Sequence, residues 1–131
     1  KIKSTEGIKS LVVNNEVSVV LLNSVSNQIS IEGDRNVIEL YSIELKKNTL
    51  TITNNSKEDR TGAIVYVPAG LINQVTINGN SAVTSKETLR NKHISVWMNG
   101  ESNFWVKTYG KVYVEAAEGF DYTYASKSLK L

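Results

Sequence analysis

The sequence predicts an all-β chain, a right-handed parallel β-helix-like solenoid with an N-terminal hairpin and strand region. Three observations carry that prediction. Apolar and polar residues alternate with period two along most of the chain. Asn, Ser and Gly fill the intervening turns while Pro68 is the only proline. A strand motif also recurs near twenty residues: Val75-Thr76-Ile77-Asn78-Gly79 is followed 21 positions later by Val96-Trp97-Met98-Asn99-Gly100.

Taken in order, strands are expected at Ile8 to Val13, Val17 to Leu22, Gln28 to Glu32 and Val37 to Leu45. Ile43 and Leu45 then face Leu50 and Ile52 across Lys47-Asn48, which reads as a hairpin with a two-residue turn. Asn54 to Gly62 is polar throughout and is expected to be a solvated loop. Strand resumes at Ile64 to Val67 and stops at Pro68. No stretch carries apolar residues at helical spacing; Ser85 to His93 comes nearest and would form a turn or two.

In the repetitive part, a weaker third copy surrounds Val112 to Gly119, and strands are expected after each glycine, at Ala82 to Ser85, Asn103 to Lys107 and Tyr122 to Ala125. Coils about 4.8 Å apart would stack like on like. Val75 then lies over Val96, Ile77 over Met98 and Val83 over Phe104, with Asn78 over Asn99 as a polar rung. The adjoining glycine supplies the positive φ of the corner. An antiparallel sandwich is the rival reading, with Asn78-Gly79 and Asn99-Gly100 as hairpin turns.

At 131 residues and 40% hydrophobic composition the chain suffices for one domain over residues 1–131 with a real core. Fifteen basic and thirteen acidic residues give a net charge of +2, interspersed, so no concentrated stripe is available to neutralise phosphates and nucleic acid is not an expected partner. Without cysteine there is no disulfide, thiol nucleophile or thiolate metal site. The apolar run Val19 to Leu22 is far too short for a membrane span or a signal peptide, so neither is expected within this chain.

His93 is the single histidine and sits in the polar run Arg90-Asn91-Lys92-His93, with no nucleophile-elbow motif and no second ligand at metal spacing. It reads as an exposed or structural side chain, and no metal or cofactor is expected. Glu32 and Asp34 flank Gly33, and Glu115, Glu118 and Asp121 gather near the end; they read as solvated corners, with a glycosidase-like acid pair or calcium as alternatives.

Eight of the ten aromatic residues lie between Trp97 and Tyr124. Parity places Trp97, between Val96 and Met98, outside; Trp105, between Phe104 and Val106, and Tyr113, between Val112 and Val114, follow the same rule. Both tryptophans are expected on one pair of adjoining strands. Trp97, Trp105 and Tyr113 are therefore the candidate ligand-binding residues, as exposed platforms for sugar rings or a protein partner; a cap over the end of the stack is the competing reading.

Ile29-Ser30-Ile31-Glu32-Gly33-Asp34, the hairpin Glu44-Leu45-Lys46-Lys47-Asn48-Thr49-Leu50-Thr51-Ile52 and the segment Val65-Tyr66-Val67-Pro68 entering the repeats occur in the order of a known pattern. In these the chain resembles the family described as "putative auto-transporter adhesin, head GIN domain", from envelope proteins of Bacteroidetes and related bacteria. The resemblance spans nearly the whole chain. It implies a β-helix-like fold, an extracytoplasmic, cell-envelope or secreted location, and an adhesin-like role. Gly79-Asn80-Ser81 and Gly100-Glu101-Ser102 depart from the family's smaller corners.

The expected function is a non-catalytic binding or structural domain contacting glycan or protein at the cell surface. A polysaccharide-cleaving enzyme of β-helix type is the alternative. A passive spacer that self-associates into a homo-oligomer through open strand edges is a third.

Overall fold

A computed structural model describes residues 7–25, 28–55, 63–100, 102–116 and 123–126. They form twelve strands: β1 (Ser10–Asn14), β2 (Ser18–Leu22), β3 (Ser30–Glu32), β4 (Tyr41–Lys46), β5 (Thr49–Asn54), β6 (Ile64–Pro68), β7 (Gln74–Asn78), β8 (Ala82–Leu89), β9 (His93–Asn99), β10 (Asn103–Thr108), β11 (Lys111–Ala116) and β12 (Thr123–Ser126). One helical turn, α1 (Arg35–Ile38), precedes β4.

The strands divide between two six-stranded sheets, the first ordered β11-β9-β7-β1-β5-β4 and the second β12-β10-β8-β2-β6-β3. Period-two sequence produces this directly: β1, β2, β5 and β6 each alternate buried and half-exposed positions, so each offers one apolar face. The buried faces of the two sheets meet in one core cluster. In the first sheet, Val114, Val96, Val75, Leu11, Leu50 and Leu45 form a single inward row across all six strands. In the second, Phe104, Val83, Val19, Val65 and Ile31 do the same.

The architecture corrects the expected right-handed parallel β-helix-like solenoid. Both sheets are mixed, with β4 antiparallel to β5 and β3 antiparallel to β6, and the fold is an all-β, sandwich-like pair of sheets. A solenoid stacks its coils in chain order, whereas here β1 lies between β5 and β7, and β2 between β6 and β8. The repeat that pointed to a solenoid reports only parallel register. Val75 does pair with Val96, Ile77 with Met98, Asn78 with Asn99 and Val83 with Phe104. The antiparallel rival also fails at the repeats, because β7 and β8 belong to different sheets and Asn78-Gly79 is a corner between them.

The hairpin is as expected: Ile43 pairs with Ile52 and Leu45 with Leu50, and Lys47 and Asn48 both take positive φ, at 50° and 67°. The strand expected from Val37 is replaced at its start by α1. Val37 and Ile38 are consecutive and both half-buried, which a turn permits and a strand, pointing neighbours to opposite faces, does not. The Asp34 carbonyl accepts from the Ile38 amide at 2.9 Å to close this turn.

Corners repeat as well. Asn15, Gly79 and Gly100 take φ of 69°, 74° and 85° and lie one above another. A Cβ on Gly100 would sit 3.0 Å from the Gly79 Cα, so glycine is required there by both conformation and space. Ser81 and Ser102 are buried beneath these corners. Ser102 Oγ donates to the Gly79 carbonyl at 2.8 Å, and Ser81 Oγ makes the corresponding bond to the Asn15 carbonyl.

Candidate binding face

Strand pairing fixes which side chains share the outer face of the first sheet. One row across it reads Glu115, Trp97, Thr76, Val12, Thr51 and Glu44. The next reads Tyr113, Ser95, Gln74, Ser10, Thr49 and Lys46. Trp97 is 37% and Tyr113 56% exposed. They stand on adjoining strands two positions out of register, so their Cα atoms are about 8 Å apart from strand rise and spacing. Glu115 is directly beside Trp97, and Ser95 directly beside Tyr113.

A polar ladder lies two residues beyond Trp97 at the strand ends, on the side away from Tyr113. Asn99 Nδ2 donates to Asn78 Oδ1 at 3.0 Å, Asn78 Nδ2 to Asn14 Oδ1 at 2.8 Å, and Asn14 Nδ2 to Thr53 Oγ1 at 3.2 Å. In the next row Ser10 Oγ donates to Gln74 Oε1 at 3.1 Å. These cross-strand bonds hold the amides and hydroxyls in fixed orientations beside the aromatic pair. The face therefore combines two flat apolar rings with a pre-ordered set of donors and acceptors.

Trp105, 40% exposed, also points outward as parity required, but it does not join Trp97. β9 and β10 are consecutive in the chain and belong to opposite sheets, so the two indoles lie on opposite outer faces. The shared pair of strands expected for them is thus corrected: parity separates inside from outside and carries no information about which sheet a strand enters. Trp105 shares its row with Thr84, Val20, Tyr66 and Ser30, and the Lys107 ammonium lies 5.6 Å from its ring centroid.

The other candidates fall apart from one another. His93 is exposed at the start of β9, beside a recess of about 210 Å³ between residues 70–73 and 91–93. That volume is below the range of sites that enclose a small molecule. Asn91 closes the floor, its Nδ2 donating to the carbonyls of Ala69 and Ile72, both at 2.6 Å. Glu32 and Asp34 are exposed by the edge strand β3 of the second sheet, and Glu115 is exposed on the edge strand β11 of the first. Glu118, Gly119 and Asp121 lie outside the described residues. Among the described residues no three His, Asp or Glu side chains are grouped to hold a metal ion, and no helix is long and apolar enough to cross a membrane.

The environment of Tyr41 acts on its ionisation. Burial, and then the neighbouring Glu16 charge, raise its phenol above the ordinary value of 10.0. Its hydroxyl donates to the Glu16 carbonyl at 3.4 Å, far from the aromatic pair in the strand order.

The ladder's first rung was hidden in the sequence. Leu11-Val12-Val13-Asn14-Asn15 is a copy of Val75-Thr76-Ile77-Asn78-Gly79, with Asn15 taking the left-handed corner that glycine takes later. Asparagine tolerates that conformation better than other side chains, and an Asn-Asn step aligned on Asn-Gly was the signal available.

Comparison with known proteins agrees with this architecture. A crystal structure from Parabacteroides distasonis, described as a "putative adhesin", is similar in fold, with a TM-score of 0.57 at 18% identity over 94% of this chain and 67% of that one. No curated protein matches the chain. The family model described as "Putative auto-transporter adhesin, head GIN domain" matches residues 8–127, and the chain belongs to that family.

Proposed function

We propose that the chain is a non-catalytic, extracytoplasmic binding domain of a bacterial cell-envelope protein, and that it holds glycan on the outer face of the first sheet. The observation that carries this reading is the nearness of Trp97 and Tyr113 on adjoining strands, with Glu115 and Ser95 beside them and the amide ladder beyond Trp97. Sugar rings have apolar C–H faces and polar rims. Flat aromatic side chains match the first and fixed amides and carboxylates the second. The family's adhesin description supports a surface location and a binding role. Glu115 beside the rings is at the opposite end of the strand orders from Glu32 and Asp34, so those acids do not face one bond together with it, as acid-pair chemistry would need.

A protein contact through the second sheet is the other reading, favoured by Trp105 with half-buried Val20 and Tyr66 in one row. The two readings separate experimentally. With a panel of surface-type oligosaccharides, Trp97→Ala and Tyr113→Ala should each weaken binding about tenfold or more, the equivalent of one aromatic contact of ~1.5 kcal/mol. Trp105→Ala should leave it unchanged. Binding insensitive to both first-sheet substitutions would refute the assignment.

A further inference from the structure

The chain contains two Asn-Gly steps, Asn78-Gly79 and Asn99-Gly100, and their surroundings differ in a way that bears on covalent chemistry. At the first, the Gly79 N–H is committed to the Asn99 carbonyl at 2.9 Å, and the Asn78 side chain is bonded on both sides, to Asn14 and from Asn99. At the second, Asn99 is exposed and, among the described residues, its side chain makes a single bond, from Nδ2 to Asn78 Oδ1. The Gly100 N–H has no acceptor among the described residues, while its carbonyl accepts from the Ser102 amide at 3.0 Å.

We infer that Asn99 is a self-modifying site, converting through a cyclic imide to an aspartyl or isoaspartyl residue while Asn78 is held inert. The Gly100 backbone nitrogen attacks Asn99 Cγ, forming a new C–N bond. The Cγ–Nδ2 bond breaks, and ammonia leaves with the proton given up by the Gly100 nitrogen. Water then opens the five-membered imide: at the Cγ carbonyl it leaves an ordinary aspartate side-chain carboxylate, and at the main-chain carbonyl it leaves a free α-carboxylate with the chain running to Gly100 through Cγ. Glycine speeds the ring closure because no Cβ crowds the attacking nitrogen. The fold cannot exchange that glycine for a slower residue, since its φ of 85° and the 3.0 Å approach to Gly79 both demand it.

The product changes the outer face itself. Asn99 and Trp97 lie two residues apart on β9, so a new negative charge enters beside Trp97 and Glu115. A carboxylate at position 99 also has no N–H for Asn78 Oδ1, so the ladder loses its last rung.

The test is peptide mapping by mass spectrometry of the intact, folded chain during incubation at mildly alkaline pH, following ammonia loss and water gain at each asparagine. Two extra hydrogen bonds at the first step predict that Asn99 converts about tenfold or more faster than Asn78. In denaturant the two rates should converge. Equal rates in the folded chain, faster loss at Asn78, no conversion at Asn99, or an equally large ratio in denaturant would each overturn the inference.

Discussion

Truncating Phe104 and Trp105 in turn sets a buried ring against an exposed one at neighbouring positions of one strand. Phe104 is 1% exposed and heads the inward row with Val83, Val19, Val65 and Ile31. Phe104→Ala removes a full aromatic side chain from a close-packed interior and should cost about 3–5 kcal/mol. Trp105 is 40% exposed, so three-fifths of it is covered. Scaling the ~1.5–3 kcal/mol of a fully buried large side chain by that fraction gives about 1–2 kcal/mol for Trp105→Ala. The Lys107 contact moves the value toward the upper end. Urea unfolding followed by far-ultraviolet circular dichroism measures both, independently of which tryptophan remains, and an unchanged slope certifies that the midpoint shift is a stability change. A cost for Trp105→Ala equal to that of Phe104→Ala, or a cost for Phe104→Ala no larger than a surface change, would refute this placement of the two rings.

Two other outcomes follow from the corners of the sandwich. Ser102→Ala leaves the half-buried Gly79 carbonyl without the 2.8 Å donor it now has and should lower stability by about 0.5–1.5 kcal/mol in the same urea assay. Because the phenol of Tyr41 is raised above its ordinary value, the folded state favours its neutral form. That contribution is fully present below pH ~10 and is lost as pH rises through the folded value. Stability measured against pH should therefore decline on the alkaline side, and Tyr41→Phe should flatten that decline.

How far the sequence disclosed all this depends on the kind of information each pattern holds. Alternation is a statement about faces, and it located the inward row through Val75, Val96 and Leu50 as well as the outward turn of Trp97, Trp105 and Tyr113. It holds nothing about which sheet receives a strand, so it put Trp97 and Trp105 together when they stand on opposite faces. The repeat of Val75–Gly79 at Val96–Gly100 is a statement about register, and those strands do pair in that register. It is silent about order, and the placing of β1 between β5 and β7 is a long-range choice that no local window contains. Asn14 was missed because its corner is made by Asn15 where the later copies use glycine. α1 was missed because Val37-Ile38 opens a mostly apolar run, Val37-Ile38-Glu39-Leu40-Tyr41, that leads straight into the alternating residues of β4, although two adjacent apolar residues do not suit one face of a strand.

The chain has two tryptophans, one on each outer face, so the indole N–H signals report each face separately. Titrating the labelled protein with surface-type oligosaccharides while recording those two signals tests the glycan assignment most directly. A saturable shift of the Trp97 signal is expected, abolished by Tyr113→Ala, with the Trp105 signal unmoved. A shift confined to Trp105, or saturable binding that moves neither signal, would contradict it.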